Sequence, residues 1–283
     1  MPELPEVEVL VRHLRPLLRG KTIRAVRVRR AKVVAPGRPR ELSRVLTGAK
    51  FTTVARRGKY LLFGLYSQIR RQEVLLLGHL GMAGRMFLAR KSEPLPRHAA
   101  VVLDLGRKNF IYEDPRYFGR FTLDVSAVKK LGPEPLGKFF SAVEFARRLK
   151  RTRQPVKVKL LDQSLVAGVG NIYASEALFR AGISPRRPAN RLTVRQVKKL
   201  QAGIRLVLAG AIRCGSTIPL NFAPGKTDGL FYFGRAAGVP DYYGERLQVY
   251  DRAGKPCFRC DSPIRRLVQS ARSTFYCPRC QKD

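Results

Sequence analysis

Leu131-Gly132-Pro133-Glu134-Pro135-Leu136-Gly137 is the point at which the sequence changes character. Two prolines and two glycines within seven residues favour neither helix nor strand, and the apolar periodicity differs on either side, so the segment reads as a linker. Ahead of it a helix opens almost at once. Val7, Leu10, Val11, Leu14, Leu17 and Leu18 recur at helical spacing, Pro5 is tolerated in a first turn, and Gly20 marks the end. Short β-rich runs follow at Ile23–Val28, Phe51–Val54, Tyr60–Leu65, Val74–Leu77, Val101–Leu105, Phe110–Tyr112 and Phe121–Leu123, interrupted once by a helical pattern over Pro39–Leu46. Separated by Gly, Pro and charged clusters, they predict a sandwich or barrel of antiparallel strands.

Beyond the linker the pattern turns helical, at Phe140–Leu149, Pro155–Leu161, Ile172–Ala181 and Thr193–Ala211, with Thr193 as a cap. Residues 215–245, rich in Gly, Pro and Tyr, read as a long loop, either functional or disordered. No internal repeat is present.

The 283 residues carry 56 Lys+Arg against 20 Asp+Glu, a formal charge of +36, while 45% hydrophobic residues are enough for an ordinary core. Residues 1–130 and 131–283 each hold 28 basic and 10 acidic side chains, so each part is +18. The charge therefore belongs to the folded body and not to an appended tail, and points to a polyanionic partner. No apolar run approaches the length of a membrane span, and the acidic opening Met-Pro-Glu-Leu-Pro-Glu is unlike a signal peptide. A cytoplasmic protein is expected.

Cys257-Phe-Arg-Cys260 and Cys277-Pro-Arg-Cys280 are separated by 16 residues. Two C-x-x-C turns bring four thiolates to one ion and leave no open coordination position, so Cys257, Cys260, Cys277 and Cys280 are expected to hold one structural Zn2+. The loop between them carries Arg265, Arg266 and Arg272, so the metal would shape a basic hairpin. Cys214 has no such partner and reads as a buried small hydrophobe. In Gly168-Val169-Gly170-Asn171, ahead of an apolar helix, Asn is a suitable N-cap and free N–H groups would attract a phosphate; a Gly-rich connection between packed helices is the plainer alternative. At the chain start, removal of Met1 would expose Pro2 as a secondary amine beside Glu3 and Glu6. Such an amine can attack a sugar carbon and form a cationic iminium, although proline and acids in a first helical turn also have a purely structural reading.

These features, with RRGKYLLF at 56–63, HLGMAGR at 79–85, EDPRYFGR at 113–120, LLDQSLVAGVGNIYASEALF at 160–179 and the terminal ARSTFYCPRCQ, resemble the formamidopyrimidine-DNA glycosylase family of base-excision repair enzymes over nearly the whole chain. The resemblance implies an α+β multidomain fold: an N-terminal antiparallel β-sandwich flanked by helices over 1–130, a linker at 131–137, a helix-two-turn-helix bundle with a lesion-capping loop over 138–245, and a zinc-ribbon hairpin over 246–283. It implies a monomeric glycosylase and AP lyase acting on double-stranded DNA that contains oxidised bases or abasic sites. Pro2 would be the nucleophile at C1′, Glu3 the acid that protonates the deoxyribose ring oxygen, and Glu6 a support. Lys59, Asn171 and Arg272 would hold phosphates around the lesion. Met82, Arg116 and Phe118 would fill the gap left by the extruded base, whereas Met82 and Phe118 taken alone would be assigned to the core. His79 is expected to be structural.

Two departures stand out. Tyr117 replaces the family's usual Arg/Lys between Arg116 and Phe118, removing a cation near the duplex. The segment after Cys214, GSTIPLNFAPGKTDGLFYFG, differs from the usual run that covers the oxidised base. An enzyme of the same chemistry for oxidised pyrimidines, and a non-catalytic zinc-dependent nucleic-acid-binding protein, are the competing readings.

Overall fold

Alternating apolar residues in the first part of the chain pair into two four-stranded antiparallel sheets. The computed structural model describes residues 2–215 and 247–282. They divide into two units, one of residues 2 and 6–129, the other of residues 3–5, 130–215 and 247–282. The loop expected over 215–245, with the departure after Cys214, lies outside the described residues apart from Gly215.

In the first unit, helix α1 (Leu4–Leu18) buries Val7, Leu10, Val11, Leu14 and Leu18, the predicted stripe without Leu17. Then come β1 (Ala25–Val28), α2 (Pro39–Leu46), β2 (Lys50–Arg57), β3 (Tyr60–Ser67), β4 (Gln72–His79), β5 (Arg85–Arg90), β6 (Ala99–Asp104), β7 (Lys108–Glu113), β8 (Arg120–Thr122) and the short α3 (Ser126–Lys129). The strand orders are β1-β6-β7-β5 and β2-β3-β4-β8. Their inward faces share one core with α1 and α2, in which Phe63, Phe110 and Phe121 pack with centroids 5.6–6.4 Å apart. Strand β5 is not among the expected runs. Its short apolar stretch, bounded by Arg85 and Arg90, becomes a strand because β7 offers a full antiparallel partner from Arg85↔Glu113 to Arg90↔Lys108.

The second unit contains α4 (Ala142–Leu149), α5 (Val156–Leu160), α6 (Asn171–Ala181), α7 (Val194–Arg213) and the hairpin β9 (Arg265–Gln269) and β10 (Arg272–Tyr276). Thr193 caps α7 as expected, in a reciprocal capping box with Gln196. Ahead of α4, Phe140 packs edge-on against Phe145 at 5.0 Å across the Ser141 cap, a hydrophobic staple that sets the entry of the chain. Helix α6 is buried from Ile172 to Phe179 and packs on α7. Cys214 is half-buried at the end of α7 and not fully buried as expected, because it is the C-cap where the helix meets its last turn. Among the described residues no helix is long and apolar enough to cross a membrane.

Candidate active site and metal centre

Within the first unit, Lys59 occupies the two-residue turn Gly58-Lys59 between β2 and β3, where Gly58 takes φ +57°. Arg56 stabilises this turn: its guanidinium donates to the Gly58 carbonyl at 2.9 Å and to Glu8 of α1 at 2.9 Å. Burial raises the Glu8 carboxyl, but hydrogen bonds from Arg56 and then Arg12 outweigh it and leave the group below its ordinary range. Lys59 and Glu6 are both buried, at 6% and 0% exposure, as is Pro2. The Glu8–Arg56 pair was not anticipated; its only signal is a second acid two residues beyond Glu6.

His79 ends β4, with its ring 4.8 Å from that of Tyr60, and its Nδ1 accepts the Gly81 N–H at 3.2 Å. Burial, then Lys59 and Arg120, depress its pKa to about 4, so the imidazole is neutral at pH 7 and serves as an acceptor, in line with the expected structural role. The turn that follows carries Met82, 45% exposed, and the 114–119 turn carries Phe118, 53% exposed, with Arg116 stacked 5.2 Å from the Phe118 ring. Neither Met82 nor Phe118 is in the core. Tyr117, at φ +53°, does lack the family's cation, but Arg30 lies over its ring at 5.3 Å and donates Nε to its hydroxyl at 3.1 Å. A guanidinium thus stands where the sequence had pointed to a lost charge.

In the second unit, Glu3 Oε1 accepts the Ile172 N–H at 2.9 Å in the first turn of α6, where the helix dipole favours an anion. Gly168 explains how Glu3 arrives there. It adopts φ +84°, accepts the Leu4 N–H at 3.1 Å, and a Cβ on it would come within 2.6 Å of the Leu4 side chain. The Gly-Val-Gly-Asn stretch therefore receives the chain's own acidic N-terminal segment, and of the N–H groups at the helix start that of Ile172 is taken by the Glu3 side chain. Asn171 is also not the cap. Gly170 is, and Asn171 begins the helix one residue later.

The freed Asn171 side chain donates from Nδ2 to the Ser273 carbonyl at 2.9 Å, while Oδ1 accepts from Lys157 at 2.5 Å. Lys157 is fully buried, and burial, then Arg272, lower its pKa to about 8 while Glu3 opposes the change. Lys157 went unpredicted, although its helical spacing with Leu160 signals an inward-facing cation. Asn171 thereby ties α6 to the β10 strand one residue from exposed Arg272. Ser270 and Ala271, both at positive φ, form the tight hairpin turn that precedes Arg272. Glu176, a lone acid in the apolar α6, is buried and accepts the N–H groups of Gln248, Val249 and Tyr250, each at 2.9 Å.

The four cysteine sulfurs lie within 4.8 Å of one another, and three pairs are 3.4–3.9 Å apart. Zn–S bonds of about 2.3 Å at tetrahedral angles place sulfurs roughly 3.8 Å apart, so the cluster fits one zinc ion. Backbone N–H groups of Arg259 and Cys280 point to the sulfurs of Cys257 and Cys277 at 3.4 Å, where they would stabilise the negative charge of metal-bound thiolates. With all four positions filled by protein, the ion is structural.

A two-sheet unit with an acid-bearing N-terminus, a helical unit and a four-cysteine hairpin together define the architecture of a DNA-repair glycosylase. Residues 1–121 match the family model of the formamidopyrimidine-DNA glycosylase N-terminal domain, 131–221 that of the formamidopyrimidine-DNA glycosylase H2TH domain, and 254–282 that of the zinc finger found in FPG and IleRS. The chain belongs to the formamidopyrimidine-DNA glycosylase family. It is 41% identical to the formamidopyrimidine-DNA glycosylase of Thermus thermophilus, over 100% of this chain and 99% of that one, and 40% identical to that of Methylococcus capsulatus over the whole of both. Among solved structures it is similar to the Lactococcus lactis Fpg in complex with abasic-site DNA, with TM-score 0.87, 32% identity and coverage of 99% of this chain and 100% of that one. A mutant of the L. lactis protein bound to Fapy-dG DNA gives TM-score 0.86 at 31% identity, with both chains fully covered.

Proposed function

We propose that this chain is a bifunctional DNA glycosylase and AP lyase that removes oxidised purines, 8-oxoguanine and formamidopyrimidines, from duplex DNA. The observation that carries the reading is the Glu3 carboxylate, seated on the Ile172 N–H in the residue directly after Pro2. After removal of Met1, the Pro2 nitrogen lone pair attacks C1′ and the glycosidic C–N bond breaks, its electron pair leaving with the base, which takes up a proton from water. The Pro2 nitrogen gives its own proton to the Glu3 carboxylate, which delivers it to the deoxyribose ring oxygen as the C1′–O bond breaks; the ring opens, and the resulting Pro2 iminium withdraws electrons from C2′. Loss of a C2′ proton expels the 3′ phosphate. A second elimination expels the 5′ phosphate.

Lys59, Asn171 and Arg272 would hold the phosphates around the flipped nucleotide, while Met82, Arg116 and Phe118 fill its place in the stack. The division into a catalytic domain over 1–130, a linker at 131–137, a helical domain over 138–245 and a zinc finger over 246–283 belongs to this reading. So does a bacterial cytoplasmic, nucleoid-associated location, which the charge of +36 supports. With each phosphate neutralised, log affinity should fall with log salt by a slope of roughly 0.9.

Borohydride trapping tests the chemistry. An 8-oxoguanine duplex should yield a covalent protein–DNA adduct that Pro2→Gly abolishes while lesion binding persists. A protein that binds the lesion but never forms the adduct would be a binding module and not an enzyme.

A further inference from the structure

The turns bearing Met82 and Phe118 are joined by one buried phenol. Tyr112, on β7, is 1% exposed, and its ring stacks on Phe121 at 5.6 Å and 21°. Its hydroxyl lies 3.0 Å from the His79 carbonyl, where the 79–84 turn begins, and 3.3 Å from Asp114 Oδ2, at the base of the 114–119 turn. Asp114, itself fully buried, accepts the Arg116 N–H at 3.1 Å and the Gly119 N–H at 2.8 Å, so the carboxylate shapes the second turn from inside. The His79 imidazole does the same for the first turn by accepting the Gly81 N–H.

The two turns also touch backbone to backbone. Gly81 has φ +60°, and a Cβ there would stand 2.6 Å from the Gly119 nitrogen and 2.9 Å from the Phe118 carbonyl carbon; a Cβ on Gly119 would overlap the Tyr112 hydroxyl and the His79 carbonyl oxygen. A glycine–glycine contact of this kind has no side chain to hold it in register. The polar link through Tyr112 supplies that restraint, and because burial and Asp114 push the phenol well above its ordinary range, it keeps its proton at any working pH.

We propose that Tyr112 is a positioning residue that locks the 79–84 and 114–119 turns into one insertion unit, so that Met82 and the Arg116–Phe118 pair enter the opened base stack together. The proposal rests on the glycosylase reading above, in which these side chains occupy the vacated space. Neither exposed side chain has core packing to hold it, so its position depends on the backbone of its turn. If the hydroxyl is lost, the two turns move independently and the duplex is opened by one wedge at a time.

The test is Tyr112→Phe, which keeps the ring stack and removes only the hydroxyl; thermal unfolding and zinc content confirm that the fold is retained. With an 8-oxoguanine duplex carrying 2-aminopurine next to the lesion, the variant should lose most of the fluorescence rise that reports opening of the stack. Single-turnover excision should fall about five- to ten-fold, the scale of one buried hydrogen bond. Borohydride trapping on a duplex already lacking the base should fall less than about two-fold, because no base has to be displaced. In a chain that already carries M82A and F118A, Y112F should slow excision no further. Wild-type fluorescence and excision in Y112F, or losses that multiply with those of M82A and F118A, would overturn the coupling while leaving the glycosylase reading intact. Absence of both excision and trapped adduct in the unmutated protein would overturn that reading and this inference with it.

Discussion

Glu3 accepts the backbone N–H of Ile172 at 2.9 Å, which places the acid of the N-terminal motif at the first turn of α6. Glu3→Gln keeps an oxygen acceptor for that N–H but removes the carboxyl group that the proposed mechanism uses for proton transfer. Base excision should be lost while lesion-DNA binding is retained. Stability should drop by no more than about 1 kcal/mol, the usual worth of a charge at a helix N-terminus. Denaturant unfolding beside a single-turnover excision assay separates the two effects, and a large loss of stability would make Glu3 primarily structural.

Asn171 bridges Lys157 and the Ser273 carbonyl, so Asn171→Ala removes a tie between α6 and β10 and leaves the buried Lys157 without its amide acceptor. The expected destabilisation is about 1–3 kcal/mol. Amide hydrogen exchange should rise in β9 and β10 more than in the β-sandwich, which locates the loss.

Stripping the metal tests the hairpin directly. Structural zinc sites supply on the order of 10–16 kcal/mol in isolated fingers, so a chelator should unfold the β9–β10 segment and abolish lesion binding through loss of an ordered Arg272. The two sheets of the first unit have their own core and should keep their circular-dichroism signal.

Arg30 stands over Tyr117 and donates to its hydroxyl, restoring a cation beside the Arg116–Phe118 turn. Arg30→Ala should reduce the slope of log affinity against log salt by about 0.9, the worth of one phosphate contact. Tyr117→Phe removes only the hydroxyl acceptor and should change the slope less. Equal slopes for Arg30→Ala and the unmutated protein would remove Arg30 from the DNA-facing surface.

His79 should make stability depend on acid. Its pKa in the folded chain is about 4 against 6.5 for an ordinary histidine, so between these values the unfolded chain binds a proton that the folded chain refuses. Stability therefore falls as pH drops from about 6.5 toward 4, by on the order of 1–3 kcal/mol from this group. His79→Gln, which can still accept the Gly81 N–H, should flatten that portion of the curve in denaturant titrations at pH 7 and pH 5.

Much of this protein can be read along the chain because the signals are local. Helical spacing in α1, the Thr193–Gln196 box, the strand runs and two C-x-x-C turns are each specified within a few residues, by propensity, capping and ligand reach. The Pro2-Glu3 opening and the family motifs named the candidate chemistry in the same way. What linear order could not supply is the meeting of residues far apart in the chain. Gly168 proved to be a seat for Leu4, since only folding brings the middle of the chain back to its start. Arg30 beside Tyr117 is an exposed pairing that only the folded turn creates, whereas Lys157 under Asn171 and Tyr112 between His79 and Asp114 are polar pairings inside a packed core. Burial there makes each partner costly to leave unmatched, and only the packed chain determines which partner is within reach.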